Sequence, residues 1–165
     1  MARGRADIAN MAIRILLQNV GKYYDEIRGL VPFSPTGPQR KVVLEFFDHK
    51  CVFCAILLEK NQTDWDHLIP INKTDLGLHA WGNVVPCCTP CHKKKHHGNW
   101  EDATKNIRLR NKILAFQKKY EYRPKLDLGT VADTLYEDVG AVAMTLIELR
   151  FKQAQKTLKS LKSKK

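Results

Sequence analysis

Cys51-Val-Phe-Cys54 and Cys88-Thr-Pro-Cys91 are two Cys-x-x-Cys turns separated by 33 residues. Each turn presents two thiols on a tight backbone, and two such turns brought together make a tetrahedral four-sulfur site of the kind that suits Zn²⁺. The separation exceeds that of a simple zinc ribbon, so a substantial insert must lie between the ligand pairs. The fifth cysteine, Cys87, precedes a ligand and reads as a small buried hydrophobe. An odd cysteine count argues against a disulfide framework and for metal. With all four positions filled by protein, such a site is structural and leaves no open coordination position.

Around these pairs the chain reads as an α+β protein. Residues 7–30 are expected to be helical, with Ile8, Met11, Ile15, Leu16, Val20, Tyr23, Tyr24 and Ile27 as the apolar positions. Three prolines and a glycine make 31–38 a loop, and a short helix is expected from Pro38 to about Asp48. Residues 50–70 read as a β-hairpin with strands Ala55–Glu59 and Trp65–Ile69 and a turn over Asn61–Asp64. Residues 71–88 read as a long loop, followed by a helix from Thr89 to His97. Two further helices are expected, a basic one over Glu101–Tyr120 and another over Thr130–Lys162. The apolar positions of the second are Val131, Leu135, Val139, Val142, Leu146 and Leu149. The expected division is an N-terminal helical region (1–37), a zinc-knuckle core (38–100) and a basic C-terminal helical region (101–165).

The chain has 165 residues, 44% of them hydrophobic, enough to form a core. Its net charge of +11 favours a polyanionic partner. The excess is local: residues 1–88 hold ten Lys or Arg against nine acids, while residues 89–125 hold eleven against three. Lys93, Lys94, Lys95, Arg108, Arg110 and Lys112 form the expected DNA-binding stripe, and such a stripe makes binding steeply dependent on salt. The tail lysines Lys156, Lys159, Lys162, Lys164 and Lys165 are expected to add non-specific attraction. No run is long and apolar enough for a membrane span and no leader is read at the N-terminus, so the expected location is the cytoplasm.

Inside the cysteine frame lie Trp65-Asp66-His67-Leu68-Ile69-Pro70, then Gly82-Asn83-Val84-Val85-Pro86, then Cys91-His92-Lys93-Lys94-Lys95-His96-His97. Asp66 and His67 are neighbours on a strand, so their side chains point to opposite faces. One can hold a cation while the other faces a water, and a neutral imidazole is suited to deprotonating that water near pH 7. His92 and His96 are four apart on an expected helix and can share a cation. His49 and His97 read as solvated, and His79 as a loop residue away from substrate.

Taken together, Cys-x-x-Cys, Asp66-His67, then Asn83, Cys88, Cys91 and His92 at offsets of zero, five, eight and nine resemble the HNH (ββα-metal) nuclease family. The resemblance covers residues 40–97. It departs at Ala55, where the family usually has Gly, and at Cys87, where it often has Leu. The resemblance implies a ββα-metal core with flanking helices and a metal-dependent DNA endonuclease, a phosphodiesterase. It implies His67 as general base, Asp66 and His92 as metal ligands, and Asn83 as the residue that holds the loop and orients His67 through a backbone contact; in some members an Asn near this place binds metal instead. His96 as a further ligand resembles the colicin-type nucleases. Mixed oxygen and nitrogen ligands suit Mg²⁺ or Mn²⁺, with Zn²⁺ or Ni²⁺ fitting if both histidines bind. Among such enzymes, a small sequence-specific type II restriction enzyme acting on double-stranded DNA is the first reading, with a homodimer expected for a palindromic double cut. A homing or phage endonuclease, or a non-catalytic zinc module that binds nucleic acid, are the alternatives.

Overall fold

The computed structural model describes residues 2–59, 63–123 and 128–162. The expected turn residue Asn61 lies outside them, and the tail lysines from Lys156 onward lie outside the residues whose side chains are described. The elements run α1 (Ala2–Glu26), α2 (Gln39–Phe46), β1 (Thr63–His67), β2 (Val84–Cys88), α3 (Thr89–Lys95), α4 (Trp100–Ala103), α5 (Ile107–Lys119) and α6 (Gly129–Lys162). This is an α+β fold whose centre is a β-hairpin followed by a helix, flanked by helices at both ends. No helix among the described residues is long and apolar enough to cross a membrane.

The strands pair antiparallel, with Thr63 opposite Cys88, Trp65 opposite Pro86 and His67 opposite Val84. The partner of β1 is therefore β2 and not Ala55–Glu59, which contributes a single bridge between Lys50 and Leu57. The sequence hides β2 for two physical reasons. Val84, Val85, Pro86 and Cys87 are all buried, so no alternation marks a strand. Pro86 also reads as a strand breaker, yet a two-stranded sheet leaves each strand one edge outside the ladder, where a residue without an N–H is tolerated. The Pro86 carbonyl is used in turn by Val52 N–H at 3.2 Å, which ties the first cysteine turn to the hairpin.

β2 passes directly into α3, with Cys88 as the N-cap and Pro90 in the first turn. The helix ends at Lys95 because His96 takes φ +49°, outside the helical region. The basic helix expected over Glu101–Tyr120 is two helices. Asn99 caps α4 by accepting from Glu101 N–H at 3.0 Å, and Asn106 caps α5 by accepting from Arg108 N–H at 2.9 Å. Asparagine favours exactly such starts over helix interiors. Gly140 does not interrupt α6; it makes room for the Arg5 side chain of α1, whose Nε would lie 2.9 Å from an added Cβ.

One apolar core gathers Val43, Cys51, Val52, Val84, Val85 and Cys87 with Ile113 and Phe116 of α5. A second joins Ile13 and Leu17 of α1 to Leu78, Ala80, Tyr122 and Ala132. The buried face of α1 is Ala9, Ile13, Leu17, Gly21 and Asp25, a strict i, i+4 row. Of the eight positions expected from hydrophobicity, Met11, Ile15, Tyr23 and Ile27 are exposed, while Ile8, Leu16, Val20 and Tyr24 are half-buried, Val20 and Tyr24 against the second core. Close approach selects the fully buried face: Gly21 lets the His79 backbone come near, and Asp25 serves as an acceptor. Burying Ile13 and Leu17 contributes about 1.5–3 kcal/mol each.

Asp25 is fully buried. Its carboxylate accepts from Phe33 N–H at 2.9 Å and Trp81 N–H at 3.1 Å, and pairs with Arg28 at 2.5 Å. Arg28 in turn donates to the Tyr120 carbonyl. One carboxylate thus joins the end of α1, the loop after it, the loop before β2 and the end of α5. Asp25→Ala leaves two amides without their acceptor and a guanidinium without its charge partner, and is expected to lower the unfolding free energy by about 3 kcal/mol, measured by urea denaturation.

Candidate active site and metal centres

Cys51 and Cys54 lie on the turn after α2, Cys88 caps α3 and Cys91 lies in its first turn. Their sulfurs all fall within 4.8 Å of one another, with Cys54 and Cys88 3.8 Å apart. A zinc ion with Zn–S bonds of about 2.3 Å has tetrahedral edges of about 3.8 Å, so the cluster matches a structural zinc site. Cys51 N–H donates to Ile56 O at 2.8 Å and Ala55 N–H to Cys51 O at 2.9 Å, closing the first turn. The turn requires Ala55 to adopt φ +64°, a conformation that glycine takes without steric cost. Cys87 is outside the cluster, buried, with its thiol directed at Asp64 O at 3.8 Å, and burial pushes that thiol well above its ordinary pKa.

The last residues of β1 face the start of α3. Asp66 is buried, and its Oδ1 accepts from His67 N–H at 2.8 Å. His92 Nε2 stands 4.0 Å from that oxygen, and His92 Nδ1 stands 3.5 Å from Asp64 Oδ2. Asp66 Oδ2 is buried and makes no hydrogen bond; the Lys95 ammonium 3.2 Å away gives it a charge partner without satisfying it. A buried carboxylate oxygen in that state beside an imidazole fits a divalent cation.

His67 is on the opposite face of the strand, as alternation requires. Its Nε2 meets His79 Nδ1 at 3.0 Å. Burial, followed by repulsion from His79, Lys95, His92 and Arg14, pushes the His67 pKa down to about 3. The His79 pKa is lowered too, by burial and the Lys22 charge. His67 is therefore a neutral imidazole at pH 7, the form that can accept a proton. Asn83 is fully buried and binds the backbone beyond His67: Oδ1 accepts from Ile69 N–H at 2.8 Å, and Nδ2 donates to Ile69 O at 3.0 Å and Leu78 O at 2.8 Å.

Residues 51–98 match the family model of the HNH endonuclease. They form an HNH endonuclease domain. HNH endonucleases are phosphodiesterases, and this segment holds both cysteine pairs, Asp66, His67, Asn83 and His92. The chain has no match among curated proteins.

Within the HNH domain, two expectations change. Lys95 is not part of a solvent-facing stripe: it is 5% exposed and donates to His67 O at 2.8 Å. It stands one turn after His92 on the inner face of α3, which the run Lys93-Lys94-Lys95 conceals. His96 is exposed and beyond the helix end, so the i, i+4 geometry that would aim it with His92 at one cation is missing; its ring lies against His97. Among the described residues, the sulfur cluster is the one group of three or more ligand atoms drawn together.

Beyond the domain, Arg110 is turned onto the Thr104 and Glu101 carbonyls and Lys112 is paired with Asp48. Lys93, Lys94 and Arg108 remain in solvent.

Two residues were missed from the sequence. Asp64 lies two positions before Asp66, hence on the same face of β1, a relation that strand periodicity carries once the strand is known. His79 has no such signal, because only the folding of the 68–83 loop brings it to His67. Cys51→Ser is expected to remove bound zinc from the protein and to unfold the first core, since Cys51 is part of it. Elemental analysis should give one zinc per wild-type chain and none per variant, with loss of near-ultraviolet circular dichroism.

Proposed function

We propose that this protein is a divalent-metal-dependent endonuclease that hydrolyses phosphodiester bonds of double-stranded DNA at specific sequences, in the manner of a small type II restriction enzyme. The observation that carries the reading is that buried Asp66 and His92 face each other where β1 meets α3, with neutral His67 next to Asp66 on the strand, inside an HNH endonuclease domain. Asp66 and His92 would hold the catalytic cation. The unsatisfied Asp66 Oδ2 supports this, and a mixed oxygen and nitrogen donor set suits Mg²⁺ or Mn²⁺. Bound there, the cation supplies charge stabilisation to the phosphate and to the departing oxygen.

The remaining chemistry falls to the chain. His67 Nε2 is engaged by His79, which leaves Nδ1 for a water. His67 takes a proton from that water as its oxygen bonds to phosphorus, and the bond from phosphorus to the leaving oxygen breaks. Asn83 and Lys95 hold the end of β1 by its backbone, so the imidazole does not drift from the reacting atoms. Structural zinc in the sulfur cluster would fix α3, and with it His92, against the hairpin. Sequence reading is assigned to the helices around the domain. A palindromic double cut calls for two copies about a twofold axis, and Val142, Leu146 and Phe151 of α6 are exposed apolar side chains available to a second copy.

Supercoiled plasmid incubated with the protein and Mg²⁺ or Mn²⁺ is expected to be nicked or linearised, with cutting abolished by EDTA and by His67→Ala. Equal inertness of wild type and His67→Ala on DNA carrying all short palindromes would overturn the assignment. Lysines that touch phosphate should separate from the buried one in the salt dependence of DNA binding. Lys93→Ala and Lys94→Ala are each expected to lower the slope of log K against log salt by about 0.9. Lys95→Ala should leave the slope unchanged and instead cost about 3 kcal/mol of stability by orphaning Asp66.

A further inference from the structure

His79 is held more firmly than a surface loop residue needs to be. Its backbone lies in a notch on α1: a Cβ on Gly21 would come within 2.4 Å of the His79 carbonyl oxygen and 2.9 Å of its nitrogen. The residues on either side are pinned as well. Leu78 N–H donates to Tyr122 Oη at 3.0 Å, Leu78 O accepts from Asn83 Nδ2, and Trp81 N–H donates to Asp25. The His79 ring stands edge-on to Phe33, with centroids 5.6 Å apart, and Nδ1 meets His67 Nε2 at 3.0 Å. Most of these contacts come from α1, the loop after it and the end of α5, outside the segment that matches the nuclease family.

The contact between the two rings admits two proton arrangements when both are neutral. In one, His67 Nε2–H donates to His79 Nδ1, both rings carry their proton on Nε2, and His67 Nδ1 is a free base. In the other, His79 Nδ1–H donates to His67 Nε2, both rings carry their proton on Nδ1, and His67 has no lone pair left for a water. Histidine in water prefers the Nε2–H tautomer, so the first arrangement uses the preferred form twice and the second uses it in neither ring. The partner of one ring nitrogen sets the state of the other.

We propose that His79 is a positioning residue for the nuclease: by accepting from Nε2–H it locks His67 in the tautomer whose Nδ1 is open to the attacking water, and α1 exists in part to hold it there. This rests on the reading of His67 as the general base. His79 touches neither substrate nor metal in this role. Its acceptor is what matters, so an Asn at the same position, whose amide oxygen falls near the place of Nδ1, should serve in its stead while a Phe should not.

The test compares zinc-loaded full-length wild type, His79→Phe and His79→Asn by nitrogen-15 NMR of the histidine rings and by plasmid cleavage with Mg²⁺. In wild type and His79→Asn, His67 is expected to carry its proton on Nε2. In His79→Phe that preference should be lost and kcat should fall roughly ten- to a hundredfold at unchanged KM, with His79→Asn recovering most of it. A wild-type His67 protonated on Nδ1, or a His79→Phe protein that keeps both tautomer and rate, overturns the proposal. If His79→Phe does not fold, His79→Asn decides: retained tautomer and rate uphold the acceptor role, and loss of both refutes it. If wild type and His67→Ala prove equally inert on DNA, the nuclease reading fails by itself, and the ring spectra still report whether His79 sets the His67 tautomer.

Discussion

Cys88 is the joint on which the rest of the molecule turns. It ends β2, caps α3 and brings one of four sulfurs to a cluster whose other members come from the turn after α2 and from α3 itself. A two-stranded sheet and a helix of seven residues would not hold together by burial alone. Four thiolates on one metal ion would supply what the small elements lack, because ligand bonds stabilise the folded arrangement and have no counterpart in the open chain. Beside this joint Asp66 and His92 face each other, with His92 Nε2 4.0 Å from Asp66 Oδ1.

The site beside that joint is assembled from polar groups taken out of water, and each has a specific counterpart. Asp66 is balanced by Lys95 from α3 and keeps one oxygen in reserve. Asn83 satisfies three backbone groups in the loop that follows His67. Asp25 satisfies the backbone N–H groups of Phe33 and Trp81 and pairs with the Arg28 guanidinium. Buried polar groups of this kind are costly when misplaced, so they specify one loop conformation in a way that apolar contacts do not. His67 and His79 are fixed as a consequence, and both rings are kept neutral by burial among cationic neighbours.

The zinc-type cluster, the catalytic segment and the α+β class were legible because covalent chemistry and spacing carry them. Cys-x-x-Cys turns have few uses in a chain of this composition, and the joint offsets of Asn83, Cys88, Cys91 and His92 leave little freedom. The face of α1 was not legible, because a row containing Gly21 and Asp25 looks polar and small, and its purpose is close backbone approach. β2 was missed because full burial removes alternation. Lys95 was misread because three consecutive lysines look alike in sequence, while a helix sends them in three directions. His96 was misread because the helix stops one residue short of it, in a left-handed conformation that no residue nearby announces.

Sequence alone therefore determined the four cysteines of the zinc-type cluster and the segment that matches the nuclease family, since ligand identity and local spacing are properties of the chain. Tertiary structure decided which of the chemically able side chains meet: Asp64 and Asp66 with His92, Lys95 with Asp66, His79 with His67. Those meetings join residues 12 to 29 positions apart through a sheet register, a helix end and a loop pinned by buried carboxylate and amide groups. They depend on a balance of desolvation and close packing summed over the whole fold, which no local pattern records.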